Sequence, residues 1–273
     1  MAVMRAHYYQ QFADDDAGAP VATSFGGWQS DNVEVSREHT ALVVMHVWDC
    51  RSARSRFPGW YRCNESIDRM IRVMDDVLGP LLQEVRRTKL RVYHVAYPGP
   101  YYVKLPGFRR AKTLCDGSSP LPQIESDPTL NALRRFRRDR VFVGAENQTD
   151  VGHAFEQLDF APQIRPLDSE TIADTSEQLF AACQQDGINH LIYTGFALNA
   201  CVMIMPGGME DMRRHGLLCS VIREATTAVE NRETVDGERA KEVSLWQVAW
   251  TYGFVFDRDD FVTWVLKAAG TGT

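Results

Sequence analysis

An α/β fold, with a doubly wound, mainly parallel sheet and helices on both faces, is predicted by three features of this sequence. Thr40-Ala-Leu-Val-Val-Met-His-Val-Trp48 and Asn189-His-Leu-Ile-Tyr-Thr-Gly195 are near-continuous apolar runs of strand length, as expected for strands covered on both faces. Helical periodicity fills the spaces between such runs. Strand and helix alternate in order, with no internal repeat, which points to one three-layer, Rossmann-like body.

Residues 1–38 are polar, Gly/Asp-rich and without clear periodicity, and read as an N-terminal arm lying on the body or reaching a neighbouring subunit. The body occupies 39–273. Its first strand, over Thr40–Trp48, is expected to be central. A helix follows from Asn64, because Ile67, Met70, Ile71, Met74, Val77, Leu78, Leu81 and Leu82 recur at helical spacing. Leu90–Ala96 is the next strand, closed by Tyr97-Pro-Gly-Pro100. Prolines at 98, 100, 106, 120, 122 and 128 then break 98–160 into short pieces, read as an insertion over the active edge. Within it the basic run Arg134–Arg140 is expected to be a solvated or subunit-facing helix in preference to an anion-binding lid. Alternation resumes with a short strand over Gln163–Leu167, a helix over Asp174–Gln185, the buried strand ending at Gly195, and a helix from Cys201 to His215 interrupted at Pro206-Gly-Gly208. A strand over Leu217–Ile222, a helix over Glu238–Tyr252 and a short strand over Phe254–Phe256 complete it.

The 273 residues are 44% hydrophobic, enough for a full core. Thirty Lys+Arg against 36 Asp+Glu give a net charge of −6, which supplies no global positive field for nucleic acid. No apolar run reaches membrane-span length, and the first residues lack a basic-then-apolar leader, so a cytoplasmic protein without a membrane partner is expected. Six cysteines are scattered without CxxC spacing, which favours reduced thiols over disulfides or a zinc site. Lysine occurs only at 89, 104, 112, 241 and 267.

In a doubly wound sheet the reactive groups belong at the carboxyl ends of the strands. Those ends present His46, Trp48 and Asp49; His94 and Tyr97; Arg165 and Asp168; and Gly195, leading to Asn199 and Cys201. Cys201 lies where a strand turns into a helix, so the helix dipole would favour its thiolate and the amides of the turn could hold an oxyanion. Taken alone, a cysteine after a buried strand is more often a small core residue. Trp48, Tyr97, Tyr101 and Tyr102 could form an aromatic pocket, or simply pack.

Thr40–Trp48, Ile172-Ala-Asp-Thr-Ser-Glu-Gln-Leu179, Gly195-Phe-Ala-Leu-Asn-Ala-Cys-Val202 and Ile222-Arg-Glu-Ala-Thr-Thr-Ala228 together resemble the isochorismatase-like cysteine hydrolases, from about residue 38 to 257. That superfamily includes isochorismatases, nicotinamidases and N-carbamoylsarcosine amidases, and the resemblance implies an Asp, Lys, Cys triad. Only Cys201 carries over. His46 stands at the position of the Asp, and Asp49 lies three residues on. The stretch 113–240 holds no lysine, which leaves Arg165 as the nearest cation. The resemblance further implies an oxyanion hole around Ala197, Leu198 and Cys201, and a cis peptide between Ala197 and Leu198.

A neutral His46 could accept the Cys201 proton, with Asp49 or Asp168 orienting the ring, so a Cys201/His46 dyad is chemically sensible. The expectation is a hydrolase cleaving a small amide-like C–N bond through a covalent Cys201 intermediate. The alternatives are vinyl ether hydrolysis of the isochorismatase type, or a non-catalytic binding protein. Trp48, His94, Tyr97, Tyr101 and Asn199 are the candidate substrate contacts. His94 has no acidic neighbour in Tyr93–Tyr97, so neither metal nor cofactor is expected. Partners are a small-molecule substrate and further copies of the chain, the homo-oligomer being implied by the resemblance together with the arm, the insertion and the helix carrying Trp246 and Trp250.

Overall fold

The computed structural model describes residues 2–13, 20–117 and 122–270. Eight strands form one sheet, and the two longest lie in the segment read as an arm. β1 (Ala2–Ala13) and β2 (Phe25–Val35) are an antiparallel hairpin. β3 (Thr40–Met45), β4 (Arg91–Val95), β5 (Thr171–Ala173), β6 (His190–Gly195), β7 (Leu218–Thr226) and β8 (Val255–Phe256) are parallel to one another, and β8 is antiparallel to β1. The order is β2-β1-β8-β7-β6-β3-β4-β5, with His7 of β1 pairing Val255 of β8 to attach the hairpin to the edge. The arm therefore extends the sheet. Its strands are mostly half-buried or exposed, so their sequence lacks the apolar signature that marks β3.

Eleven helices accompany the described strands. They are α1 (Ala53–Arg56), α2 (Pro58–Cys63), α3 (Ile67–Val73), α4 (Gly79–Arg86), α5 (Pro106–Leu114), α6 (Pro128–Arg140), α7 (Gln148–Glu156), α8 (Ser176–Asp186), α9 (Met209–Arg214), α10 (Arg239–Thr251) and α11 (Arg258–Gly270). Successive β3 side chains point to opposite faces, so both faces need a cover. Leu42 and Val44 enter a core with Met70, Leu78 and Leu82 from the α3–α4 region and Phe261 and Trp264 from α11. Ala41, Val43 and Met45 enter the other core, with Leu179 of α8, Met212 of α9 and Leu245 and Val248 of α10. A π-helical segment, Met74–Leu78, joins α3 to α4 and keeps the long apolar stripe on the sheet.

The strand placed at Gln163–Leu167 is absent from the described structure. Pro162 and Pro166 leave that stretch as turns and coil, and the edge strand is Thr171–Ala173, which pairs with Tyr93–Val95. Thr175 then caps α8, its hydroxyl accepting from the amide of Gln178. The 98–160 insertion contributes α5, which packs on β5 and α8 as an ordinary layer helix, as well as α6 and α7. No helix among the described residues is long and apolar enough to cross a membrane.

Candidate active site

β3 and β6 are adjacent, and the chain leaves β3 for β4 on one side but comes back to β6 on the other. Their carboxyl ends are thus the switch point where crevices form. The two ends approach closely. A Cβ on Gly195, whose φ is +108°, would lie 2.0 Å from the Met45 carbonyl oxygen, so only glycine fits there. The Phe196 amide donates to that carbonyl at 3.1 Å. His46 follows at φ +52°, a left-handed conformation unusual for a side-chain-bearing residue, its amide bonded to Val95 O at 3.0 Å.

Beyond Gly195 the chain forms a π-helical turn, Leu198–Val202, that carries Cys201. Residues 226–229 pin it. Thr226 Oγ1 donates to Gly195 O (2.7 Å), Leu198 N donates to Thr227 O (2.7 Å), and the Asn199 amide group bonds both backbone groups of Val229 (2.9 and 2.8 Å). These bonds explain why Ala-Thr-Thr-Ala228 belongs with the cysteine segment. The cis peptide of this turn is Phe196–Ala197, one residue before the position that the resemblance implied.

Cys201 is half-buried on the wall of a cavity of about 480 Å³. Trp48, Trp60, Met70, Phe155 and Phe196 make much of its lining. Phe142, Val151, Ala197, Ala200 and Val229 add to it, and Cys63, Asn64, Glu65, Ser66 and Glu230 supply polar atoms. Both carboxylates are engaged by the fold. Glu230 caps α10 by accepting from the amides of Ala240 and Lys241, and Glu65 accepts from Glu230 N and pairs with Arg69. No Lys or Arg lines the cavity among the described residues.

Burial pushes the Cys201 thiol above its ordinary value, while the backbone amides of Ala197 and Cys201, hydrogen-bonded to its sulfur, oppose that rise. Those two amides are the backbone donors that act on the sulfur. Leu198 does not join them, because its amide is committed to Thr227. Burial also drives His46 down to about 4, so the imidazole is neutral, and its Nδ1 has no hydrogen-bond partner. The ring stacks on Trp48 with centroids 5.6 Å apart, and meets Tyr97 edge-on. No hydrogen bond joins His46 to Cys201 among the described residues, and His46 does not line the cavity. The expected thiolate–imidazolium dyad is therefore not present at rest, because desolvation favours the neutral form of each group. Alkylation of Cys201 by iodoacetamide should accordingly be slow at neutral pH and climb through pH 9, with nearly the same profile in His46→Ala. Peptide mass spectrometry reads the rate; a neutral-pH plateau that His46→Ala abolishes would restore the dyad.

Of the other candidates, Trp48 and Ala197 line the cavity with Cys201. Asp49 is partly exposed and paired with Arg51, and Arg51 is also bonded to Asp75. Arg165 is paired with Asp159, also partly exposed, away from the cavity, because the strand expected to aim it inward does not form. Asp168 lies in the turn after it, where its carbonyl accepts from Arg110. His94 is buried in a separate network, bonded through Nε2 to Glu170 (2.9 Å), which also accepts from Arg86 (2.8 Å). Tyr97 packs against Trp48 and Phe155, and Tyr101 against Tyr102 and Phe160, behind the lining. No cluster of three or more His, Cys, Asp or Glu suited to a metal exists among the described residues. Reading the sequence missed the residues of α2 and the following loop, Trp60 to Ser66, and Phe142, Phe155 and Glu230. Of these, only Glu230 had a signal, two residues beyond the Ile222–Ala228 segment.

No family model and no curated protein matches this chain. Its structure is similar to those of a cysteine hydrolase from Pseudomonas syringae pv. phaseolicola 1448A (12% identity, 86% of this chain and 95% of that one, TM-score 0.49). An isochorismatase-like hydrolase from Alkaliphilus metalliredigens (15%, 84% and 98%, 0.49) is another, as is N-carbamoylsarcosine amidase from Thermoplasma acidophilum (14%, 81% and 96%, 0.42).

Proposed function

We propose that this protein is a cysteine hydrolase in which Cys201 attacks the carbonyl of a small, uncharged amide-like substrate whose acyl part is apolar or aromatic. What supports this most is a half-buried thiol, with the amides of Ala197 and Cys201 beside its sulfur, opening on an aromatic-lined cavity. On the alkaline side of its raised value the thiol loses its proton to solvent, and the sulfur bonds to the carbonyl carbon. The two amides hold the oxyanion. The C–N bond then breaks, the departing nitrogen takes a proton from water, and a further water hydrolyses the thioester to regenerate Cys201. His46, neutral and stacked beneath Trp48, supports the wall. The substrate class follows from a lining with two committed carboxylates and no cation, which repels a carboxylate-bearing acyl group.

The test is a panel of amides and activated esters in which neutral acyl groups, benzoyl and phenylacetyl among them, are matched in size with carboxylate-bearing ones. Hydrolysis is expected for the neutral members, with kcat/KM rising towards alkaline pH. Preference for the charged members would refute the assigned substrate class. A binding protein without turnover is the second reading, favoured by the neutral resting state of both Cys201 and His46, and it predicts saturable binding of the same compounds with no product.

A further inference from the structure

We propose that α6 is a docking helix by which two copies of this chain pair, each seating its α6 in an acidic cleft of the other. The inference stands apart from the catalytic reading. α6 is thirteen residues, about 20 Å long, and none of its residues is buried. Its main packing is against the turn Ala145–Asn147 that follows it. Leu133 and Phe136 are 60% and 62% exposed, and Arg137 and Arg140, four and seven residues on from Leu133, share the Leu133 side of the helix. Neither arginine side chain has a hydrogen bond or ion pair with the described residues. Val141 and Phe142 continue the exposed apolar surface. A stripe of this kind on an isolated helix marks an interaction face.

Charge selects the occupant. Five arginines against Asp139 give α6 a charge of +4, so the remainder of a chain of net charge −6 carries −10. That negative charge includes a cleft of about 750 Å³, where Trp28 and Val77 supply apolar surface and Glu224, Glu242, Asp257, Asp259 and Asp260 outnumber His7, Arg223 and Arg258, of which His7 and Arg223 pair with Asp257 and Arg258 with Asp259. Asp259 is 94% exposed. Each chain thus carries both halves of one complementary contact, and a twofold pair would make it twice. Phe142, at the end of α6, also lines the Cys201 cavity, so pairing would cover that wall.

Light scattering at micromolar concentration and about 0.1 M salt, where charges are felt over roughly 10 Å, is expected to give twice the 30.9 kDa chain mass. Higher salt should lower it. Arg137→Glu/Arg140→Glu and, separately, Glu242→Arg/Asp259→Arg should each be monomeric, and the chain carrying all four changes should pair again. A monomeric wild type, unchanged mass after reversal of α6, or failure of the fourfold variant to recover would each overturn the proposal. So would a monomer whose α6 binds a duplex oligonucleotide and loses it on reversal, since that would make α6 a nucleic-acid element.

Discussion

Cys201→Ala is expected to abolish turnover of the neutral acyl substrates, lowering kcat by about 10³-fold or more, the scale on which loss of a catalytic nucleophile is felt. Cys201 is half-buried in a turn held by Thr226, Thr227 and Asn199, none of which bonds its sulfur, so the fold should survive the change. Circular dichroism and the melting temperature should match the wild type. Cys63 lines the same cavity but donates to Trp60 O at 3.5 Å, and its replacement by alanine should leave most of the rate. Equal losses in the two variants would show that the cavity needs a thiol for packing and not for attack.

Trp264→Ala carries the largest expected effect on stability. The side chain is 1% exposed in the core shared by α11 and the face of the sheet that bears Leu42 and Val44. Its removal should cost roughly 3–5 kcal/mol. At 2–4 °C per kcal/mol for a larger domain, the melting temperature should fall by roughly 10 °C. Thermal melts of the two proteins read the difference. A fall of only a degree or two would mean that α11 is not integral to the body.

The central strands were legible because they are covered on both faces: β3 and β6 are buried along their whole length, and burial on two sides leaves a continuous apolar run in the sequence. The interruption after Cys201 was legible for a local reason, Pro206-Gly-Gly208. The β1–β2 hairpin lies at the sheet edge with much of its side-chain surface in water, so Tyr8, Tyr9 and Gln10 read as polar arm. β5 is three residues long and runs almost directly into α8, too short for any period to show. α11 carries the 3–4 spacing in Phe261, Trp264 and Val265, a helical signal within the body that lies beyond the last element read from the sequence, the strand over Phe254–Phe256.

The site divides in the same way. Cys201 could be found from its place after a buried strand, but the cavity wall could not. Trp60, Phe142 and Phe155 come from short or irregular segments, and only the tertiary packing of α2 and α7 brings two of them together. Burial also reverses the chemistry inferred from residue type alone. Histidine and cysteine in reach of one sheet edge suggest an ion pair, yet desolvation holds His46 near 4 and lifts the thiol, leaving both neutral.

The claim that Cys201 is the attacking group is tested most directly by mixing the protein with p-nitrophenyl benzoate at alkaline pH and following intact mass. The account predicts one benzoyl group on the wild type, mapped by peptide mass spectrometry to Cys201, absent from Cys201→Ala and lost again with time as benzoate is released. Steady turnover by Cys201→Ala, or an acyl group that forms on another residue and stays, would contradict it.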